Sequence, residues 1–358
     1  QILRRDEDFT SVEDNVALSG SVSWKPPSGV IANLNAKGQV FQADQKQISK
    51  TFPVGGEEGR RFFVSSEDEW NGELGGDLEF DAGPGRLKLI SLARHEHSPF
   101  TDRFVVGNLD GSSQFEQLFE QTVDEGEYIL RSEYALSTGE GVDWQVSAEG
   151  AFNFLESEAA LFEASDGSPL VEIPLGLANS RVEERRGEVI FTHGRQLTPK
   201  ISLQASAGAE YSELSQTGDA ENKRTFTRPK GQASLSWQQS DTLKLVGKVE
   251  RRVGQLNFFD FISSVNLEQE NGVDGNPEIV PNQSWRYTLE AQKDFKDWGA
   301  STVRLIYVDL EDVIDQIPIG TGAGPGNIDS GMAVAIETDS TLKLDKLGFK
   351  GAELTFNG

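Results

Sequence analysis

Residues 144–154 read WQVSAEGAFNF, and the pattern of this stretch predicts the fold class. Every second residue, beginning with the first, is apolar or glycine, and most of the residues between them are polar. Because successive side chains of a β-strand point to opposite faces, this alternation predicts a strand with one apolar and one polar face. The same period recurs in 70–80, 201–211 and 231–237, whereas few windows sustain helical spacing. The sequence therefore predicts an all-β chain.

Two kinds of connection separate these strands. Short connections with turn-forming residues lie at 26–29, 82–85, 137–141, 197–200, 240–241, 296–299 and 345–348. Long polar connections lie between them, at approximately 43–67, 98–125, 155–180, 213–224, 255–283 and 312–329. The alternation of short and long connections predicts about 14 antiparallel strands of about 10–13 residues, with every short turn at one end of the sheet.

The tryptophans and the small residues indicate what surrounds the sheet. Trp24, Trp144, Trp237 and Trp298 lie at or beside short turns, as in an aromatic girdle at a membrane interface. Corner tryptophans of a soluble sandwich are the alternative. The apolar faces are rich in Gly and Ala, which would fill a soluble core poorly but need fill nothing against lipid. We therefore predict an antiparallel transmembrane β-barrel with short periplasmic turns and long extracellular loops.

Composition excludes several classes of protein. The 358 residues include 58 Asp and Glu against 33 Lys and Arg, a net charge of −25, which opposes electrostatically driven binding to nucleic acid or to anionic lipid. The absence of cysteine removes disulfides, thiolate nucleophiles and Cys-ligated zinc. No run approaches the roughly 18 apolar residues of a membrane-spanning helix. Both ends resemble cuts within a longer sequence, so we expect residues 1–358 to be a fragment.

One segment carries a more specific pattern. It reads FFDF at 258–261, GNPEIVPNQSW at 275–285 and Leu-Glu at 289–290. This segment resembles the loop-to-strand signature of TonB-dependent outer-membrane receptors, in which an aromatic-rich strand end precedes a G-N-P-x-L-x-P-E-x-S loop. Ile279 replaces the usual Leu and Asn282 the usual Glu. Similar family patterns follow at 307–315, 326–329 and 351–354, whereas the first 250 residues match only in their hairpin rhythm.

The resemblance implies a partial receptor barrel over residues 1–358. Family members have an N-terminal plug domain and about 22 strands, so the plug and the last strands would be missing here. It implies an outer-membrane location in a Gram-negative bacterium, contact with outer-membrane lipid, and energy-coupled uptake of a scarce large solute. That solute would be a ferric siderophore or similar chelate, or an oligosaccharide. The implied partner is TonB with its inner-membrane energising complex, reached through the missing plug.

Candidate site residues are few. Asn276, Pro277 and Pro281 fix a turn and exclude helix, and Trp285 is expected to anchor the strand at the extracellular interface. His95 and His97 form an H-x-H pair on one face, a weak candidate for a transition-metal site. With only one other histidine and no cysteine, we expect no bound metal and no cofactor.

Other motifs point away from catalysis. The sequence has no G-x-S-x-G elbow, H-E-x-x-H or EF-hand loop, so no catalytic residue and no enzyme are predicted. The glycine-rich stretch 320–326 is predicted to be a flexible extracellular loop, because it contains a proline and no helix follows. The mixed-charge cluster at 181–188 is predicted to lie on the lumen wall or at the rim. Two rival functions remain: a passive porin-like channel, and a soluble acidic β-rich adhesion or carbohydrate-binding protein.

Overall fold

The computed structural model describes residues 3–53, 55, 57–111, 113–268, 271–319 and 322–358. Gly320 and Thr321, which open the predicted glycine-rich loop, lie outside the described residues, and residues 322–326 begin a strand. Over the described ranges, no helix is both long and apolar enough to cross a membrane.

The described residues form one large antiparallel sheet of 15 strands and a separate two-stranded sheet. The strands are β1 (Leu3–Trp24), β2 (Ile31–Pro53), β3 (Gly59–Ala82), β4 (Gly85–Asn108), β5 (Phe115–Gly139), β6 (Val142–Ser165), β7 (Val171–Ile173), β8 (Ser180–Thr198), β9 (Ile201–Gly218), β10 (Asn222–Ser240), β11 (Leu243–Val253), β12 (Ser264–Asn266), β13 (Asn271–Val273), β14 (Gln283–Asp294), β15 (Gly299–Ile319), β16 (Gly322–Lys343) and β17 (Glu353–Asn357). Short 3₁₀ helices span Phe258–Phe261, Lys296–Trp298 and Asp345–Leu347.

The strands follow one another around the large sheet in chain order. Only the short β7 leaves this path, pairing with β6, while β12 and β13 pair with each other. Among the described residues, β1 and β17 each have one neighbouring strand, so this part of the barrel is open. The prediction of an antiparallel barrel of about 14 strands is confirmed for the main path.

The predicted short turns all lie at one end of the sheet, here called the lower end. Glycines allow two of the two-residue turns: Gly83 and Gly141 have φ of 61° and 68°, a conformation that costs glycine little. The opposite, upper end carries the connections between β2 and β3, β4 and β5, β6 and β8, β9 and β10, and β11 and β14, the last of which spans residues 254–282. The longest of these, 254–282, is the one that contains the family-like motif.

The predicted strand length of 10–13 residues is confirmed for β11 and β14, which have 11 and 12 residues, but it is too short for the other strands of the main path except β17. β5 has 25 residues and β2 has 23, because hairpin pairing continues through most of the segments predicted to be connections. The register of β2 and β3, for example, runs without a break from Ile31↔Glu79 to Thr51↔Gly59. Above the lipid, neither face of a strand needs to be apolar, so the alternation that marks a strand in the sequence fades there.

The two faces of the sheet differ as a transmembrane barrel requires. The outward face exposes large apolar side chains at mid-height, among them Leu18 (80% exposed) and Leu289 (65%). Below this band, Trp24, Trp144 and Trp237 are also exposed. The inward face carries paired charges instead.

These inward charges neutralise one another in short ladders across the strands. Arg186, whose side chain is only 7% exposed, lies 3.0 Å from a Glu149 carboxylate oxygen. Lys230 reaches Glu210 at 2.9 Å and also pairs with Glu188. Apolar packing occurs elsewhere, in three clusters inside the upper end, where the connection 254–282 meets the strands.

Candidate functional site

The connection between β11 and β14, residues 254–282, folds into the upper end of the barrel and contacts the inward faces of the strands. It begins with the 3₁₀ helix Phe258–Phe261, whose first turn is capped by Asn257: Phe259 N donates to Asn257 Oδ1 at 3.2 Å. The hairpin of β12 and β13 follows, and then the Asn-Pro motif leads into β14. We call residues 254–282 the inner loop.

Apolar side chains anchor the inner loop at three places. Ile279 and Phe261 are 0% and 1% exposed, and they pack against Val182 of β8 and Leu214 of β9. Ile262 joins a second cluster on β5 and β6, with Val123 and Leu155. Leu267 lies in the third, beside Phe63, Phe104 and Phe119. Full burial of each such side chain stabilises the docked loop by about 1.5–3 kcal/mol.

The two motif prolines present carbonyl groups to the strand wall. Arg228 of β10, itself only 8% exposed, donates from Nη1 to the Pro281 carbonyl at 2.8 Å. Arg224 donates to the Pro277 carbonyl at 3.2 Å, and Asn222 donates to the same carbonyl at 2.7 Å. Charged donors on buried carbonyls make stronger bonds than neutral ones, so these contacts fix the path of the motif.

The motif asparagine ties the loop to β16. Asn276 Oδ1 accepts from Glu278 N at 2.9 Å, which closes a local turn, and Asn276 Nδ2 donates to the Pro325 carbonyl at 2.9 Å. Asn327, in the G-N-I stretch, both accepts from Val280 N at 2.8 Å and donates to the Val280 carbonyl at 2.9 Å. The two family-like motifs therefore bind each other directly.

Glycine is required at position 275 of the inner loop. A Cβ there would lie 2.6 Å from the Phe261 carbonyl oxygen, and backbone atoms cannot move aside as the end of a side chain can.

A cavity of about 200 Å³ lies between the start of the inner loop and the strand wall. Its lining includes Arg94, Glu125, Asn153, Asn257 and Phe258. The guanidinium of Arg94 is paired with Glu96 at 2.6 Å. Asn153 Oδ1 is buried with no hydrogen-bond partner among the described residues, so a polar acceptor is left at the wall beside this cavity.

Asp102 lies under the hairpin of the inner loop, five residues above His97 on β4. It is 4% exposed, and its Oδ1 has no hydrogen-bond partner in the described part of the chain. Burial raises its pKa from 3.8 to about 6, and the negative charge of Glu268 adds to the shift. Docking of the inner loop over Asp102 therefore disfavours the ionised form of this carboxyl.

The histidine pair lies away from the inner loop. His95 and His97 are in the middle of β4 and face outward, like the paired Trp70, and not into the lumen. His97 Nδ1 is 2.8 Å from Asp124 Oδ1, and His95 Nε2 is 3.8 Å from the same oxygen. No group of three or more His, Cys, Asp or Glu side chains placed to hold a metal occurs among the described residues.

The mixed-charge cluster at 181–188 divides between the two faces. Arg186 and Glu188 face the lumen, as predicted. Arg181 and Arg185 face outward, where their guanidinium carbons lie 4.5 Å and 6.0 Å from the ring centres of Phe154 and Phe152. The two-residue period of β8 explains the division.

Trp285 lies at the start of β14 on the outward face. It is 39% exposed, and the Arg251 guanidinium lies 5.5 Å from the centre of its ring. Its height matches that of a girdle at the upper edge of the apolar band.

Sequence reasoning missed the apolar side chains that receive the inner loop. These side chains are Phe63, Phe104, Phe119, Val123, Leu155, Val182 and Leu214. Most lie in or at the edge of segments predicted to be polar connections. The available signal was a pair of phenylalanines four positions apart within such a segment, as at Phe100 and Phe104.

Sequence comparison finds no protein-family model and no curated protein that match this chain. Solved structures match its fold. The copper transporter OprC has a TM-score of 0.51 at 9% identity, over 98% of this chain and 61% of that one. The ferric-catecholate import receptor Fiu from E. coli K12 has a TM-score of 0.54 at 9% identity, over 94% and 62%.

A third structure, P. aeruginosa FpvA bound to heterologous pyoverdines, has a TM-score of 0.52 at 10% identity, over 94% of this chain and 52% of FpvA. The chain thus spans between half and two thirds of the length of each of these structures. At such low identity the likeness establishes the fold, and it confirms the resemblance seen in the sequence at that level. The chain has the barrel fold of the TonB-dependent outer-membrane receptors.

Proposed function

We propose that this chain is the barrel part of an outer-membrane receptor for the energy-coupled uptake of a scarce, large solute in a Gram-negative bacterium. The cargo class we favour is a ferric siderophore or a similar metal chelate. The protein would be a transport receptor and not an enzyme, and its energising partner would be TonB with the inner-membrane complex.

The inner loop carries this proposal. It is held at the upper end by buried apolar side chains and by arginine-to-carbonyl hydrogen bonds, so it forms a fixed wall where a solute would enter. Phe259 of this loop is 44% exposed. The side chain of Glu278 is 74% exposed, although its carboxylate accepts from Asn222 at 3.1 Å and lies 3.6 Å from Arg224. A fixed wall with exposed aromatic and polar groups suits capture of a bulky ligand.

The fold neighbours support the cargo class. OprC is described as a copper transporter and Fiu as a ferric-catecholate import receptor, and FpvA was solved with iron-loaded pyoverdines. All three handle metals or metal chelates, on a barrel that matches this one across nearly the whole chain.

Uptake by whole cells tests the proposal. Cells that express the complete protein would be given radiolabelled ferric chelates at low concentration, with and without TonB and with the proton gradient intact or collapsed. We expect saturable uptake that is lost without TonB and also lost when the proton gradient is collapsed. Uptake that rises linearly with concentration and does not depend on TonB would contradict the proposal and favour a porin-like channel. Recovery of the protein in the soluble fraction would exclude both the receptor and the channel.

A further inference from the structure

A groove of about 870 Å³ opens on the outward face of β5, β6, β8 and β9, between the two girdles. Its floor is a pair of glycines directly opposite each other, Gly150 and Gly187. A Cβ added to either would meet nothing within 4 Å, so the floor borders open space on the membrane side. Ala148 and Ala209 continue the floor toward the lower end.

The walls of this groove are large and apolar. Leu130 is opposite Gly150 and Tyr211 is opposite Gly187, and they are 64% and 51% exposed. Phe191, four residues below Gly187 on β8, is 59% exposed and also lines the groove. In a transmembrane barrel the medium at this height is hydrocarbon. A hydrocarbon chain laid over the glycines would recover dispersion contacts that the empty groove forgoes.

A cation lies on the outward face just above the residues that line the groove. Arg185 is two residues above Gly187 on the same face, opposite Phe152, and its side chain is 71% exposed. Glu183 is 3.9 Å away but already accepts a hydrogen bond from Arg181 at 2.6 Å. Glu213 of β9 is directly opposite Arg185, but its carboxylate is already bound by Lys223 at 2.9 Å. The guanidinium thus keeps donors that match a phosphate in a fork geometry.

A second glycine pair on the barrel lacks this cation. Gly38 and Gly72 are also opposite each other on the outward face, and a Cβ at either would again meet nothing within 4 Å. The residues one step above them are Val40 and Trp70. The combination of an open apolar floor and an arginine at headgroup height therefore distinguishes the β6–β8 groove.

We propose that this groove binds a lipid with a phosphorylated headgroup, with an acyl chain over Gly150 and Gly187 and the phosphate on Arg185. The net charge of −25 opposes long-range attraction of anionic lipid, so the site depends on the short-range contact between the Arg185 guanidinium and the phosphate and on the apolar groove below it. The inference rests on the transmembrane fold alone and is independent of the proposed cargo.

Native mass spectrometry of the complete, folded protein tests the site. Phosphatidylglycerol and diacylglycerol with the same acyl chains would be added in equal amounts to the wild type and to Gly187→Leu, Arg185→Gln and Gly72→Leu. We expect the wild type to retain phosphatidylglycerol at least about tenfold better than diacylglycerol, as one charge-assisted hydrogen bond would give. Circular dichroism would verify that each variant keeps its β-structure.

The variants separate the two halves of the site. Gly187→Leu should lose both lipids, Arg185→Gln should keep both without preference, and Gly72→Leu should behave as the wild type. Equal lipid retention by the wild type and a folded Gly187→Leu would overturn the proposal, as would an unchanged preference in Arg185→Gln. Displacement of phosphatidylglycerol by excess inorganic phosphate would also overturn it, since the ligand would then be the free anion.

Discussion

Single residues of the Asn-Pro motif make contacts in the structure that the motif itself does not predict. The prolines of the motif were predicted to fix a turn, and in the structure Pro277 and Pro281 also offer carbonyls to Arg224 and Arg228. A turn can be inferred from the sequence because proline restricts its own backbone. The arginine partners cannot, because they lie more than fifty positions away and only the register of β10 brings them into place.

Asp102 gives the clearest prediction at this scale. Because its folded pKa of about 6 exceeds the ordinary 3.8, the folded state binds the proton more tightly. The stabilisation that comes from this tighter proton binding is complete below pH 3.8 and is lost as the pH rises through 6. The shift of about two pH units corresponds to roughly 3 kcal/mol at neutral pH. We expect Asp102→Asn to stabilise the docked inner loop at pH 8 and to have little effect at pH 4.

Amide hydrogen exchange of residues 261–267 at several pH values measures this effect. Glu278→Gln serves as the control, since it removes an exposed carboxylate of the same loop and should leave the wild-type pH profile in place. Equal protection of wild type and Asp102→Asn at pH 8 would show that the buried carboxylate does not oppose docking.

At the scale of elements, the inner loop depends on apolar contacts with strands that are distant in sequence. Phe261 and Phe259 belong to the same 3₁₀ helix, yet the first is 1% exposed and the second 44%. Phe261→Ala should destabilise the docked loop by about 3–5 kcal/mol, whereas Phe259→Ala should change it by about 0.5 kcal/mol or less. Denaturant-dependent hydrogen exchange of the loop amides would show the difference. Comparable losses in the two variants would refute the packing described here.

The elements were predictable where lipid imposes alternation and unpredictable above it. The stretch 144–154 lies within β6 and alternates because one of its faces meets hydrocarbon. The segment 43–67 was predicted to be a connection, but most of it belongs to β2 and β3. There both faces meet water or the inner loop, so polar residues occur on each. The inner loop itself was recognisable from its motif, but its position inside the barrel depends on contacts that no local pattern encodes.

At the scale of the whole molecule, the transmembrane fold explains how a chain of polar composition can be stable without a large apolar core. Apolar residues make up only 36% of the sequence, and many of the largest are exposed on the outward face. In water such a surface would drive aggregation, whereas in a bilayer it stabilises the inserted state. We therefore infer that one face of this sheet contacts lipid while the other lines the lumen.

Site-directed spin labelling tests that claim most directly, because the chain has no cysteine of its own. Single cysteines would be placed at Val189 and Ala207, which face outward, and at the adjacent Ile190 and Ser206, which face inward. In the membrane-embedded protein we predict that labels at the outward pair collide freely with oxygen and poorly with a water-soluble nickel reagent, and that the inward pair shows less oxygen contact. Water accessibility at Val189 and Ala207 equal to or above that at their inward neighbours would contradict the account.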